Sequence, residues 1–320
     1  MFKNSLLLFL TFILFTQCSV DRVVSYEDLF KDKAFESPDD LGENFLSELQ
    51  PKPDTINVNF TATNSSCSLK SINGNGGKSN TNPVVNVING VQTTAENTVT
   101  PIKPFQIVFV DLLKLKDMVL FNKPTMAGDS ILTTGGAMYF DMIRDKKSIP
   151  VSEIEPIVVL KSKNAVLGMS IYYETKLSDG KKTWEIDPKT KIETLNSDKD
   201  SVSYKFQPTK FGWINVDKLY QIPGEKTSIT FKSQYLDIKY INIMLAFPSI
   251  QSVIRVPSSG VSTQLPVGEK AYLIAISVSK SKEFFVHFEK IEIKKNQTID
   301  LLLKPTTKKE LEDVLDKIDN

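Results

Sequence analysis

The stretch Lys210-Phe211-Gly212-Trp213-Ile214-Asn215-Val216-Asp217 is unusual in composition, because two large aromatics straddle a glycine and two polar groups follow. On an exposed face, Phe211 and Trp213 would make a stacking platform for a sugar or peptide, with Asn215 and Asp217 offering hydrogen bonds. In a buried setting, the same aromatics would fill a core, Gly212 would admit close backbone approach, and Asn215 and Asp217 would close a turn. Buried aromatics are common in sandwiches, which favours the second reading. Trp184, Tyr172 and Tyr173 are open to the same two readings. The candidate ligand contacts are therefore Phe211, Trp213, Asn215, Asp217 and Trp184.

Catalytic equipment is sparse. The single histidine, His287, lies in the alternating run Phe285-Val286-His287-Phe288-Glu289, as a structural strand histidine would. No Gly-x-Ser-x-Gly elbow accompanies it, and one histidine with two cysteines lacks the nitrogen and sulfur donors of a zinc site. Cys67, within Ser65-Ser66-Cys67-Ser68-Leu69, has no nearby charge in sequence to lower its pKa and reads as a buried thiol. The 38 acidic residues leave room for a glycosidase pair that meets only in the fold, with Asp141, Glu174, Glu185 and Asp217 as candidates beside strand aromatics. Asp39, Asp40, Asp198 and Asp200 lack the spacing of a calcium loop, and Gly74-Asn75-Gly76-Gly77 is not followed by the Lys-Ser/Thr of a phosphate-binding loop. No metal or cofactor is expected, no catalytic residue is assigned, and the chain reads as a non-enzyme.

The elements that would position these residues are mostly strands. Ile56, Val58 and Phe60 alternate with polar residues, and Phe105 to Leu113 is nearly continuous in apolar and β-branched residues, as in a strand covered on both faces. Further strands are expected at 136–142, 157–160, 169–174, 201–206, 228–231, 241–247, 252–256, 271–278, 284–293 and 298–303. Their spacing and the Gly, Pro, Asn and Asp between them predict an all-β fold of antiparallel β-sandwich regions. Ser37-Pro38-Asp39-Asp40 predicts an N-cap and a short helix with Leu41, Phe45, Leu46 and Leu49 on one face. Thr307-Lys308-Lys309-Glu310 predicts a capping box for a C-terminal helix carrying Leu311, Val314, Leu315 and Ile318. The expected division is a signal peptide at 1–17, a tether and short helix at 18–51, a first sandwich-like unit at 52–175, a charged insertion at 176–200, a second unit at 201–304 and the helix at 305–320.

Composition narrows the partners. Hydrophobic residues at 41% and charged ones at 24% are globular values, so folding is expected. Lys and Arg total 39 against 38 Asp and Glu, which leaves no net field to recruit nucleic acid. The N-terminus carries Lys3, an apolar run from Leu6 to Phe15 and then Cys18, the pattern of an export signal too short to span a membrane comfortably. Cys18 is the expected lipid-attachment site, which would leave Cys67 without a disulfide partner. Gln17 and Phe15 depart from the lipoprotein signal pattern, so ordinary cleavage near 16–19 and a soluble periplasmic chain stay open.

Four segments, Asp117-Met118-Val119-Leu120-Phe121-Asn122-Lys123-Pro124-Thr125, Leu132-Thr133-Thr134-Gly135-Gly136-Ala137-Met138, Trp184 and Phe211 to Asp217, resemble in their order a group of uncharacterised cell-surface lipoproteins of Bacteroidota over residues 95–305. In that group they form an aspartate-methionine strand, a glycine-glycine-methionine turn and a G-W-I-N-x-D segment within β-sandwich regions. The chain departs by Ala137 in the turn and by Val216 where such proteins often show cysteine. The resemblance implies export, lipid anchoring at an outer membrane and a binding or structural role, and it carries no catalytic residues. The expected partner is an envelope protein or glycan. A carboxylate-dependent glycoside hydrolase and a periplasmic hydrophobic carrier are the alternative functions.

Overall fold

A computed structural model of the chain describes residues 26–319, apart from 59–65, 71–83, 89–90, 94–98, 102, 155, 163–165, 179 and 199–200. The expected leader and Cys18 lie outside the described residues. Cys67 is placed by its backbone, opposite Val87 in an antiparallel pair.

The fold is all-β. Its main strands are β1 (Asp54–Val58), β2 (Ser66–Lys70), β3 (Val84–Ile88), β4 (Phe105–Leu112), β5 (Ser130–Arg144), β6 (Pro156–Ser162), β7 (Ser170–Lys176), β8 (Lys182–Ile186), β9 (Ile192–Asp198), β10 (Ser201–Phe206), β11 (Gly212–Leu219), β12 (Asn242–Phe247), β13 (Ser252–Val256), β14 (Lys270–Val278), β15 (Phe284–Glu292) and β16 (Lys304–Thr306). One antiparallel sheet runs β1-β4-β5-β11-β7-β8 and a second runs β9-β10-β6-β3-β2. Alternate residues of the two sheets meet in one core, with Ile107 and Phe109 from β4, Phe140 from β5, Leu160 from β6, Tyr204 from β10 and Ile214 from β11. A third antiparallel sheet, β13-β12-β14-β15-β16, forms the other body.

Two expectations about organisation are corrected here. Residues 176–200 hold strands β8 and β9, and 201–219 supplies β10 and β11 to the first body, so the division falls after Leu219. The charged composition misled because β8 and β9 sit at sheet edges, where outward positions are solvated. The stretch expected to be a tether is docked from Tyr26 onward: the Tyr26 hydroxyl donates to the Leu303 carbonyl at 2.5 Å, and Phe30 packs on Phe285 with ring centroids 5.1 Å apart.

The bodies share a hydrophobic seam. Strand β4 buries Ile107 and Phe109 in the sandwich and Val110 and Leu112 on its opposite face, so its continuous apolar run serves two cores. Strand β14 does likewise, with Leu273 and Ala275 on one face and Ile274 and Ile276 on the other. Three helices fill the seam: α1 (Pro38–Leu41), α2 (Leu115–Leu120) and α3 (Lys308–Leu315). The turns after α1 bury Phe45, Leu46 and Leu49, and α3 buries Leu311 and Leu315. The capping box of α3 is formed, since Thr307 Oγ1 accepts from Glu310 N–H at 3.2 Å and Glu310 Oε2 accepts from Thr307 N–H at 2.9 Å. Ser37 precedes α1 in extended conformation but makes no side-chain cap.

Candidate functional site

Strand β11 sorts its residues by alternation. Ile214 and Val216 enter the sandwich core, while Trp213, Asn215 and Asp217 project from the opposite face toward the second body. Gly212 stands at φ +114, a backbone that breaks the alternation at the first residue of the strand. Phe211 therefore packs edge-to-face on Phe140 at 5.4 Å, on the sandwich side, and shares no platform with Trp213. Asn215 and Asp217 are fully buried, and Trp184 is buried with its Nε1–H donating to the Pro124 carbonyl at 2.8 Å. The proposed contact residues, Phe211 apart, come together on one sheet face, but the protein itself covers that face.

Trp213 is enclosed by a charged clasp whose geometry starts in the sequence Leu120-Phe121-Asn122-Lys123-Pro124. Asn122 takes φ +51, its N–H donates to Val119 O at 3.1 Å and Lys123 N–H donates to Met118 O at 2.8 Å. This is the 6→1 and 5→2 pair of a Schellman motif, and Pro124 follows where the helix cannot continue. Residues 117–118, a strand in the resembled proteins, are thus in α2. The turn delivers Lys123 Nζ to a site 4.3 Å from the Trp213 ring centroid, 2.5 Å from Glu174 Oε1 and 3.0 Å from Glu43 Oε2. Glu43 Oε2 also accepts from Trp213 Nε1–H at 2.8 Å, and Lys182 Nζ reaches Glu174 Oε2 at 3.0 Å. Burial works against ionisation of Glu43, but the ammonium groups of Lys123 and Lys182 and the indole N–H outweigh it and hold the carboxyl below its usual range.

Next to the clasp lies a polar island. The expected glycine-glycine-methionine turn is instead a bulge inside β5: Asn215 pairs with Ala137 and Asp217 with Thr134, so β5 carries one extra residue. Gly136 sits at φ +125, and a Cβ on Gly135 would meet the Tyr204 ring at 2.7 Å. Thr134 Oγ1 accepts from Gly136 N–H at 2.9 Å and donates to Asn215 Oδ1 at 3.2 Å, and Asn215 Nδ2 donates to Asp217 Oδ2 at 2.6 Å. Asp217 Oδ1 has no partner among the described residues. Burial pushes this carboxyl well above its usual range.

The other candidate acids are dispersed or engaged. Asp141 accepts from Met142 N–H at 2.8 Å and from the Ser148 hydroxyl, Glu174 is in the clasp, and Glu185 is exposed on β8. His287 Nδ1 accepts from Leu302 N–H at 3.1 Å, so it fastens a loop to β15. Among the described residues, no group of three or more His, Cys, Asp or Glu is placed to hold a metal ion.

Open space occurs at the edge of the seam, where a cleft of about 660 Å³ lies between the bodies. The first body supplies Thr134 and the Gly135–Gly136 bulge, the second the turn Pro248–Gln251 and the start of β14, and Asp319 closes one end. Thr134 N–H donates to Gln251 O at 2.9 Å, and Thr125 and Val253 exchange hydrogen bonds at 2.7 and 2.8 Å. These backbone ties across the seam fix the walls relative to each other, so the cleft is formed before any ligand arrives. Asp319 accepts from Leu115 N–H at 2.9 Å and Lys116 N–H at 3.3 Å, anchoring the C-terminal segment on the first turn of α2. Asp117, one residue further along, is pushed up to about 7 by burial and by the charge of Asp319.

Comparison with family models, with curated proteins and with solved structures finds no match. Function must therefore be argued from the cleft. Its lining residues Lys114, Lys270, Tyr272 and Lys290 had no signal in sequence, because they are ordinary surface residues, and Lys114 stands more than a hundred positions from the strand pair that carries the other three. Lys123 did have one: Asn followed two residues later by Pro, after an apolar run, marks a helix stop.

Proposed function

We propose that the chain is an exported envelope protein, lipid-anchored at an outer membrane through Cys18, which binds a protein or glycan partner and performs no catalysis. The observation that carries the binding reading is the preformed cleft of about 660 Å³ with walls from both bodies, within the range of ligand sites. The packing of Trp213 under the clasp, with Asn215 and Asp217 buried beside it, favours the cleft over the tryptophan face. Export rests on the leader, with Lys3 before the apolar run and Cys18 after it.

Two measurements test the two halves of this reading. Intact mass and membrane fractionation of the native chain beside Cys18→Ala should show an acylated, membrane-bound chain starting at Cys18 and an unacylated, released variant. Ser249→Trp places a large ring on an exposed position of the cleft, so it should abolish retention on immobilised envelope glycans or extracts. Retention unchanged by Ser249→Trp would remove the cleft from the account.

One observation favours a second reading, a carboxylate-dependent hydrolase. Asp117, at about 7, follows the cleft-lining Lys114 and Leu115 on α2 and stands beside Asp319, and perturbed acids near clefts mark candidate proton donors. That reading requires turnover of a glycoside that Asp117→Asn removes while binding persists.

A further inference from the structure

The charge of the cleft narrows the ligand. Three lysines line it from three different elements: Lys114 before α2, Lys270 at the start of β14 and Lys290 on β15. Lys270 and Lys290 form no ion pair among the described residues, and all three side chains belong to exposed residues. The two acids of the lining are already engaged, Glu269 with the Ser249 hydroxyl at 2.8 Å and Asp319 with the two N–H groups of α2. The ammonium groups of Lys270 and Lys290 are thus left to act on whatever enters, while Lys114 also faces the carboxyls of Asp117 and Asp319.

The same wall carries a half-buried aromatic side chain. Tyr272 stands opposite Lys290 in the β14–β15 register, its ring is stacked on Phe288 at 5.5 Å with 21° between planes, and Lys290 Nζ lies 5.3 Å from its centroid. This pairing holds the tyrosine, which is half-buried, in one orientation at low entropic cost. Opposite it, the glycine bulge brings bare backbone to the cleft. Aromatic edge, hydroxyls, backbone and several lysines suit a ring-shaped, polyhydroxylated anion better than an apolar molecule.

We propose that the cleft binds an acidic oligosaccharide, a sugar segment bearing carboxylate or sulfate, with Lys114, Lys270 and Lys290 neutralising its charge and Tyr272 packing against a ring. This rests on the binding reading above and names its ligand class. Lys114 comes from a different segment than the strand pair that carries Lys270 and Lys290, which suits an anion extended along the cleft.

The test is calorimetric titration of the full chain with oligogalacturonate, a heparin-derived hexasaccharide, neutral cello-oligosaccharides and inorganic phosphate. Binding of an acidic oligosaccharide should exceed that of the neutral ones at least tenfold, weaken as salt rises, and fall at least tenfold in Lys270→Ala/Lys290→Ala. Because both lysines are exposed, unchanged thermal unfolding of that variant shows that folding is not the cause. Oligogalacturonate and the hexasaccharide separate carboxylate from sulfate recognition. Equal binding by the double variant overturns the proposal, as does phosphate binding as tightly as the oligosaccharides. Neutral sugars binding best, with loss in Ser249→Trp, would overturn the acidic class and keep the cleft; no binding by any of them, with retention on envelope extracts, would also overturn it while leaving the broader reading standing.

Discussion

Lys123 Nζ lies 4.3 Å from the centroid of the Trp213 ring, joining the loop after α2 to strand β11 across the face that the sequence offered as a ligand platform. Lys123 is 3% exposed, so its charge is tolerated only through Glu174, Glu43 and the indole face. The clasp ties the N-terminal segment to the first body.

Removing the buried cation leaves Glu43 and Glu174 with only the more exposed Lys182 between them. Lys123→Met is expected to cost about 2–4 kcal/mol, less than a wholly buried pair because Glu43 is partly exposed. Urea unfolding measures this, and a cycle with Glu174→Gln should show coupling of about 1–3 kcal/mol. A coupling near zero would mean that the two charges do not depend on each other.

Asp117 sets a pH dependence whose sign is fixed by linkage. Its carboxyl rises from 3.8 to about 7 on folding, so between these values the folded chain keeps a proton that the unfolded chain has lost. Stability contributed by this group is complete below pH 4 and declines as pH rises to about 7. Asp117→Asn should flatten that decline, raising stability at pH 7.5 relative to pH 4.5 by about 1–3 kcal/mol compared with the parent chain. Thermal unfolding at the two pH values decides it; parallel slopes would contradict the assignment.

Asp217 behaves in the same direction, also through burial but without a neighbouring acid to add to it. Asp217→Asn keeps the shape without an ionisable group and should make the chain less sensitive to alkaline pH. Asp217→Ala should instead destabilise at every pH, by about 1–3 kcal/mol, by stranding the Asn215 amide. Equal unfolding midpoints for the two variants would argue against the polar island.

The bulge in β5 tolerates no side chain at its first glycine. A Cβ at Gly135 would stand 2.7 Å from Tyr204 Cε2 and 3.2 Å from Val216 O. Gly135→Ala is expected to cost about 1–3 kcal/mol through overpacking of the sandwich core. At Gly136 the φ of +125 adds backbone strain, so Gly136→Ala should also destabilise. Chemical denaturation of each variant checks this, with Gly224→Ala as a control in open space but at φ +75, reporting strain alone.

Periodicity by itself determined the all-β class, the positions of strands such as β4, β10, β13 and β14, and the capped C-terminal helix, because these follow from which residues seek water and which avoid it over short range. The double-sided burial of β4 was legible in its unbroken apolar run. Only the tertiary structure decided that residues 176–219 complete the first body, since edge strands carry the polar composition of loops. It also decided that Asn215 and Asp217 are buried and that Trp213 is partly buried against the clasp, because alternation along β11 places them on one face but cannot say what lies against it. The cleft belongs to the same class of fact: Lys114 is distant in sequence from the strand pair that carries Lys270 and Lys290, and the backbone ties between Thr134 and Gln251 and between Thr125 and Val253 are what bring its walls together.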